Sequence, residues 1–169
     1  MNRLVYRLLD AIDTYALRPM PSRLVSRLRK RLWVLQGAKV GTRVTIGTGV
    51  KVVGKSGLTL KSGVSIARDV TLDARGGLTL ADHALIGFES VLLTSTHCSD
   101  QVGVPIQDQG MFQRPCHVGE RAWLGARVIL QPGSTIGEDA IVGSGAVVTA
   151  DIPPRSIAAG VPCRVIRAR

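Results

Sequence analysis

The sequence predicts an all-β fold, a parallel β-helix of about five coils over residues 38–153, with a helical cap at 1–37 and an extension at 154–169. Three observations lead there. Aliphatic residues recur every six positions, glycine (19) and proline (8) are plentiful while aromatics reach only 4%, and the helical period of the first segment ends at Gly37. An aliphatic core with many turns suits stacked short strands better than a ring-filled globule.

The elements follow in order. Leu4, Val5, Leu8, Leu9, Ile12 and Ala16 stand at helical spacing, and Pro19 and Pro21 end that segment. Ser22 can cap a second helix that carries Leu24, Val25, Leu28, Leu32 and Leu35 and runs to Gly37. Period six then takes over. Hexads start at Val40, Ile46 and Val52; at Leu60, Ile66 and Leu72; at Leu80, Ile86 and Leu92; at Val118, Leu124 and Leu130; and at Ile136, Val142 and Val148. Three hexads make one triangular coil, each starter pointing inward and stacking on the starter one coil below. The fifth position is small or aliphatic throughout, including Ser56, Gly76 and Thr96, and is expected to face inward as well. Glycine often follows the starter, as at Gly47, Gly87 and Gly125, where it is expected to ease a tight backbone. The phase slips by two residues near Gly57 and Gly77, and a loop spans 98–117 with no hexad. A loop that long inside a repeat is usually functional.

Composition narrows the function. The net charge of +10 is concentrated in the first 43 residues and at Arg155, Arg164, Arg167 and Arg169. No nucleic-acid module or interleaved aromatic platform accompanies it, so a phosphate-bearing ligand or an anionic membrane surface suits the clusters better than nucleic acid. No apolar run is long enough to span a bilayer, and Arg3, Arg7, Asp10 and Asp13 interrupt any leader, so the expected compartment is the cytoplasm. Cys98, Cys116 and Cys163 are unpaired in spacing and predict reduced thiols. His83, His97 and His117 lack the spacing of a zinc site built on this repeat, so no metal is expected.

The run Trp123-Leu-Gly-Ala-Arg-Val-Ile-Leu-Gln-Pro-Gly-Ser-Thr-Ile-Gly and the ending Ile152-Pro-Pro-Arg-Ser-Ile-Ala-Ala-Gly-Val-Pro-Cys-Arg-Val-Ile-Arg167 resemble the hexapeptide-repeat acetyltransferases of the galactoside, maltose and polysaccharide type. The pattern Asp73-Ala-Arg-Gly-Gly with Leu93-Thr-Ser-Thr-His97 is most similar to the sugar enzymes among them. The resemblance runs from about Gly37 and is strongest over 118–167. It implies a left-handed coil, a homotrimer with sites between prisms, acetyl-CoA as co-substrate, and a sugar or glycan hydroxyl as acceptor.

It also implies roles. His97 matches the general base that takes the proton of the attacking hydroxyl, chemistry suited to an imidazole because it titrates near neutrality. Gly77, one coil below in the same column, is expected to leave room beside that ring. Trp123 matches a tryptophan that lines the site across the subunit boundary. Ala126 and Ser144 match contacts to the pantetheine arm; Thr149, Arg164 and Arg167 match contacts near the nucleotide. Ala150 stands where the galactoside enzymes carry lysine, which leaves Arg155 or Arg164 to meet phosphate. Asp69 falls near an acceptor-binding position, and Asp100 is a candidate to orient the imidazole. His83 and His117 are read as surface histidines, and Cys98 as no nucleophile. Two other readings stay open: an enzyme of this fold acting on amines or xenobiotics, and a non-catalytic scaffold. The basic N-terminal helices are expected to cap the coil, with peripheral contact at the inner membrane face as a second possibility.

Overall fold

The structure, a computed structural model, describes residues 3–19 and 23–169; the Ser22 cap and Pro21 lie outside them. Within the described residues a short helical cap leads into a three-faced β-helix of five complete coils, as the sequence predicts, followed by a sixth partial turn.

Every predicted starter takes its place. On the first face Val40, Leu60, Leu80, Val118 and Ile136 pair in parallel register, with Ile152 bridged to Ile136. The second face stacks Ile46, Ile66, Ile86, Leu124, Val142 and Ala158. The third stacks Val52, Leu72, Leu92, Leu130 and Val148. All but Val40 are buried, and burying one Leu, Ile or Val contributes about 1.5–3 kcal/mol. No coil could hide its own starters, so stability resides in the stacking.

Two expectations about the corners are corrected. Ser56 is exposed, and Gly76 and Thr96 are only half-buried; Ala74 and Thr94 point inward instead. The two-residue slips lie at the corner between the third and first faces, and lengthen the next strands to Leu58–Leu60 and Leu78–Leu80, which bury two residues each. Glycine after the starter serves close approach rather than turning. A Cβ on Gly87 would lie 2.5 Å from the backbone of Gly125 in the next coil. The left-handed backbone falls two residues later in the hexad, at Arg43, Asp69, His83, Glu89, Arg121, Arg127, Asp139 and Arg155, all with φ of 53–60°.

The open N-terminal end is plugged from the side. Helix α1 (Arg3–Ala11) continues as one π-helical stretch (Ile12–Leu17), and α2 (Arg23–Leu35) crosses the first coil. Trp33, 0% exposed, belongs to the same continuous core as the coils. Asp13, buried, accepts from Trp33 Nε1 (2.7 Å) and from Arg29 Nε (2.6 Å). Arg29, also buried, donates through Nη2 to the Val50 carbonyl (2.5 Å). Lys55 reaches back from the first coil to Asp10. Asp10 and Asp13 are thus held by partners from the first coil and α2, while an apolar stripe of Leu4, Val5, Leu8 and Ile12 is exposed.

At the other end Ser156–Ala159 forms the sixth rung of the second face, and Arg164–Ala168 pairs with it antiparallel.

Candidate functional site

The long loop departs from a pinned root. Thr94 Oγ1, buried, donates to the Asp73 carbonyl (2.9 Å) and accepts from the Gly76 amide (2.8 Å). Ser95 Oγ donates to the Asp73 carboxylate, which also takes Arg75 Nε (2.9 Å), Nη2 (3.1 Å) and backbone N–H (3.1 Å). Burial would raise the Asp73 carboxyl, but the Arg75 fork and the Ser95 hydroxyl outweigh it and hold the group below the usual carboxylate range. This root is the Asp73-Ala-Arg-Gly-Gly run. Its physical signal is the two-residue spacing, which lets an aspartate bond the amide and side chain of Arg75.

Above that root the chain forms an antiparallel stem. Ser95–His97 pairs with Met111–Gln113, and His97 stands opposite Met111. The Arg114 amide closes the stem on the Thr94 carbonyl (2.9 Å), and Arg114 lies over the Phe112 ring. At the tip the Gln109 amide bonds the backbone of Gln101 and Val104. The excursion is thus 95–113, whereas Cys116–Val118 is already the first strand of the fourth coil. His97 is exposed on the stem.

Gly77 does not sit beneath His97. A Cβ on Gly77 would meet Pro115, because the stem carries His97 away from the stacked column. Asp100, exposed, makes no hydrogen bond to the imidazole.

The other residues divide among the edges of the prism. His97 rises from the edge between the third and first faces, and Thr149 lies on the same edge two coils on. Asp69, Ala126 and Ser144 share the edge between the second and third faces. There the Ala126 amide donates to Ser144 Oγ (3.1 Å). Asp69 lines a polar recess of about 460 Å³ with Arg18, Thr48, Lys51 and Thr71. Trp123, 47% exposed, stands on the second face between Leu85 and Ile141. Arg164 and Arg167 are exposed on the last strand, the edge strand of the second-face sheet, and among the described residues their guanidiniums bond nearby carbonyls.

A triangular prism sets its second face opposite the edge that bears His97. One chain therefore keeps Trp123 and His97 on opposite sides of the prism.

His117 points outward on the first face between Thr79 and Thr135 and is exposed; partial burial, then Lys61, lowers its pKa. His83 is an exposed turn residue. Cys116 and Cys163 are buried and burial raises their thiols, as expected of structural cysteines. No cluster of three metal-ligating side chains occurs among the described residues.

Asp73 gives a testable root. Its depressed carboxyl contributes stability that is fully present above the ordinary carboxylate pKa of about 4 and is lost as pH falls through the folded value. Asp73→Asn should cost about 2 kcal/mol near neutrality by leaving the buried Ser95 hydroxyl and the Arg75 fork poorly matched. Amide exchange should rise across 94–114, and the gap to the parent protein should narrow below about pH 4. An equal gap at pH 3 and pH 7 would exclude this origin.

Comparison with known proteins agrees with the geometry. The model for bacterial transferase hexapeptide (six repeats) matches residues 115–150. A galactoside O-acetyltransferase of Escherichia coli is 41% identical over 91 residues, 53% of this chain and 43% of that protein. A probable acetyltransferase of Mycobacterium tuberculosis is 33% identical over 106 residues, 63% of this chain and 35% of that one. The matched stretch thus spans less than half the length of these curated relatives. Among solved structures, a maltose O-acetyltransferase from Clostridium difficile superposes with a TM-score of 0.85 at 22% identity, covering 98% of this chain and 85% of that one. A galactoside acetyltransferase in complex with coenzyme A superposes at 0.83 with 30% identity, covering 98% and 80%. Coil for coil, cap included, the chain belongs to the hexapeptide-repeat acetyltransferase family, whose fold is the left-handed β-helix.

Proposed function

We propose that this protein transfers an acetyl group from acetyl-CoA to a sugar hydroxyl, with His97 as general base and sites shared between the prisms of a homotrimer. The observation that carries the reading is the exposed His97 on a stem rooted at Asp73, on the edge opposite the face that bears its own Trp123. Likeness to galactoside and maltose O-acetyltransferases supports sugar as the acceptor, and the bound coenzyme A of one neighbour supports the donor.

The residues suit such a donor. An extended pantetheine arm needs a narrow edge with small side chains, and Ala126 and Ser144 provide one. Phosphates need cations, and Arg164 and Arg167 lie exposed near the far end. Acetyl-CoA supplies the activated thioester. His97 takes the acceptor proton as the hydroxyl oxygen bonds to the acetyl carbon, and the proton then passes to the departing thiolate. Trp123 of the neighbouring prism walls the acceptor, and Asp69 bonds its hydroxyls. Asp100 shapes the approach from the loop rather than through the imidazole. The acceptor is assigned to polysaccharide biosynthesis, and the enzyme to the cytoplasm.

The test is release of free CoA from acetyl-CoA with a panel of galactosides, glucosides, maltose and amine acceptors. Sugar-dependent release, with an ester product by mass spectrometry, supports the assignment. Release with amines only would replace it with N-acetylation, and no release with any acceptor would leave a scaffold.

A further inference from the structure

The first helical stretch leaves an apolar stripe on its outer side. Its polar residues Asp10 and Asp13 turn to Lys55, Arg29 and Trp33, while Val5, Leu8, Ile12 and Tyr15 recur every three to four residues on the outer side. Leu8 is 61% and Tyr15 82% exposed. Four apolar side chains in one exposed stripe mark a surface that another phase covers. A second feature lies on α2. Between it and the first coil runs a cleft of about 590 Å³, with Val34 and Leu35 as apolar lining and Arg27, Lys30, Arg31 and Arg43 around it.

Charge identifies the occupant. The first 43 residues carry ten arginines and lysines against two carboxylates, and both carboxylates are already paired, Asp10 with Lys55 and Asp13 with Arg29. A second cap docked on this one would set cation against cation. An acidic bilayer complements both features: apolar side chains enter the boundary of the acyl chains and arginines meet lipid phosphates. No described helix is long and apolar enough to cross a membrane, so contact would be along the surface.

We propose that the N-terminal cap is a peripheral docking surface for acidic phospholipid membranes, with the α2 cleft seating a phosphate headgroup. The inference is independent of acetyl transfer, because it rests on the cap alone.

The full chain is sedimented with phosphatidylcholine vesicles, with and without about one third phosphatidylglycerol, at low and high salt. The expected result is binding only to the acidic vesicles, weakened by salt. Leu8→Ser/Tyr15→Ser and, separately, Arg27→Glu/Arg31→Glu should each weaken partition by about tenfold or more. All four residues are exposed, and circular dichroism checks that the helices persist. No binding to acidic vesicles, or equal partition of parent and both variants, overturns the proposal. So does a change in molar mass of the stripe variant without vesicles, which would make the stripe an interface between copies.

Discussion

His97→Ala is expected to lower kcat/KM for sugar acetylation by about a thousandfold while leaving the melting temperature within a degree or two. A general base contributes roughly 10²- to 10⁴-fold, and it acts on the transition state, so the loss should fall on kcat rather than KM. The side chain is exposed and makes no hydrogen bond among the described residues, so truncation costs little stability. Stopped assays of CoA release over a range of acceptor concentrations separate the two constants. A loss of less than tenfold would remove His97 from the chemistry. Asp100→Ala serves as the comparison: with no bond to the imidazole it should cost under tenfold.

The second large effect concerns the plug. Asp13→Ala is expected to cost about 3–5 kcal/mol, because it strands the buried Arg29 guanidinium and frees the Trp33 indole N–H. In a chain of this size that lowers the melting temperature by on the order of 10 °C. Asp13→Leu/Arg29→Met removes both charges together and should recover most of the loss. The damage should be local, since each coil leans only on its neighbours. Hydrogen exchange should accelerate in 38–53 before 118–148, and turnover at low temperature should survive, because the His97 stem rises two coils away. Loss of less than 1 kcal/mol, or uniform exchange along the prism, would contradict this account.

The starters were legible because a six-residue period repeated fifteen times leaves one register in which aliphatic side chains all face inward. Ser56 and Gly76 turn outward because a two-residue insertion at one corner shifts the inward position, to Ala74 in the second coil, and Thr96 because the chain leaves the coil for the stem after the inward Thr94. The stem opposite His97 was invisible, since three-residue strands carry no period of their own, and so His97 was set above Gly77. Asp13, Arg29 and Trp33 lie too far apart for local spacing to pair them. Their burial appears only once α2 crosses the first coil. For the site, likeness pointed to individual residues, but only the faces reveal that they lie on separate edges.

The hydrogen bond from the Arg114 amide to the Thr94 carbonyl has a practical corollary. It joins the two feet of the stem at one spot, so the arm is an appendix rather than a link in the ladder. Splicing out residues 96–113 with a short glycine bridge, so that Ser95 stays on Asp73, should leave an intact prism without His97. Arms of other lengths could be grafted onto the same feet, so scaffold and reactivity can be engineered separately in this chain.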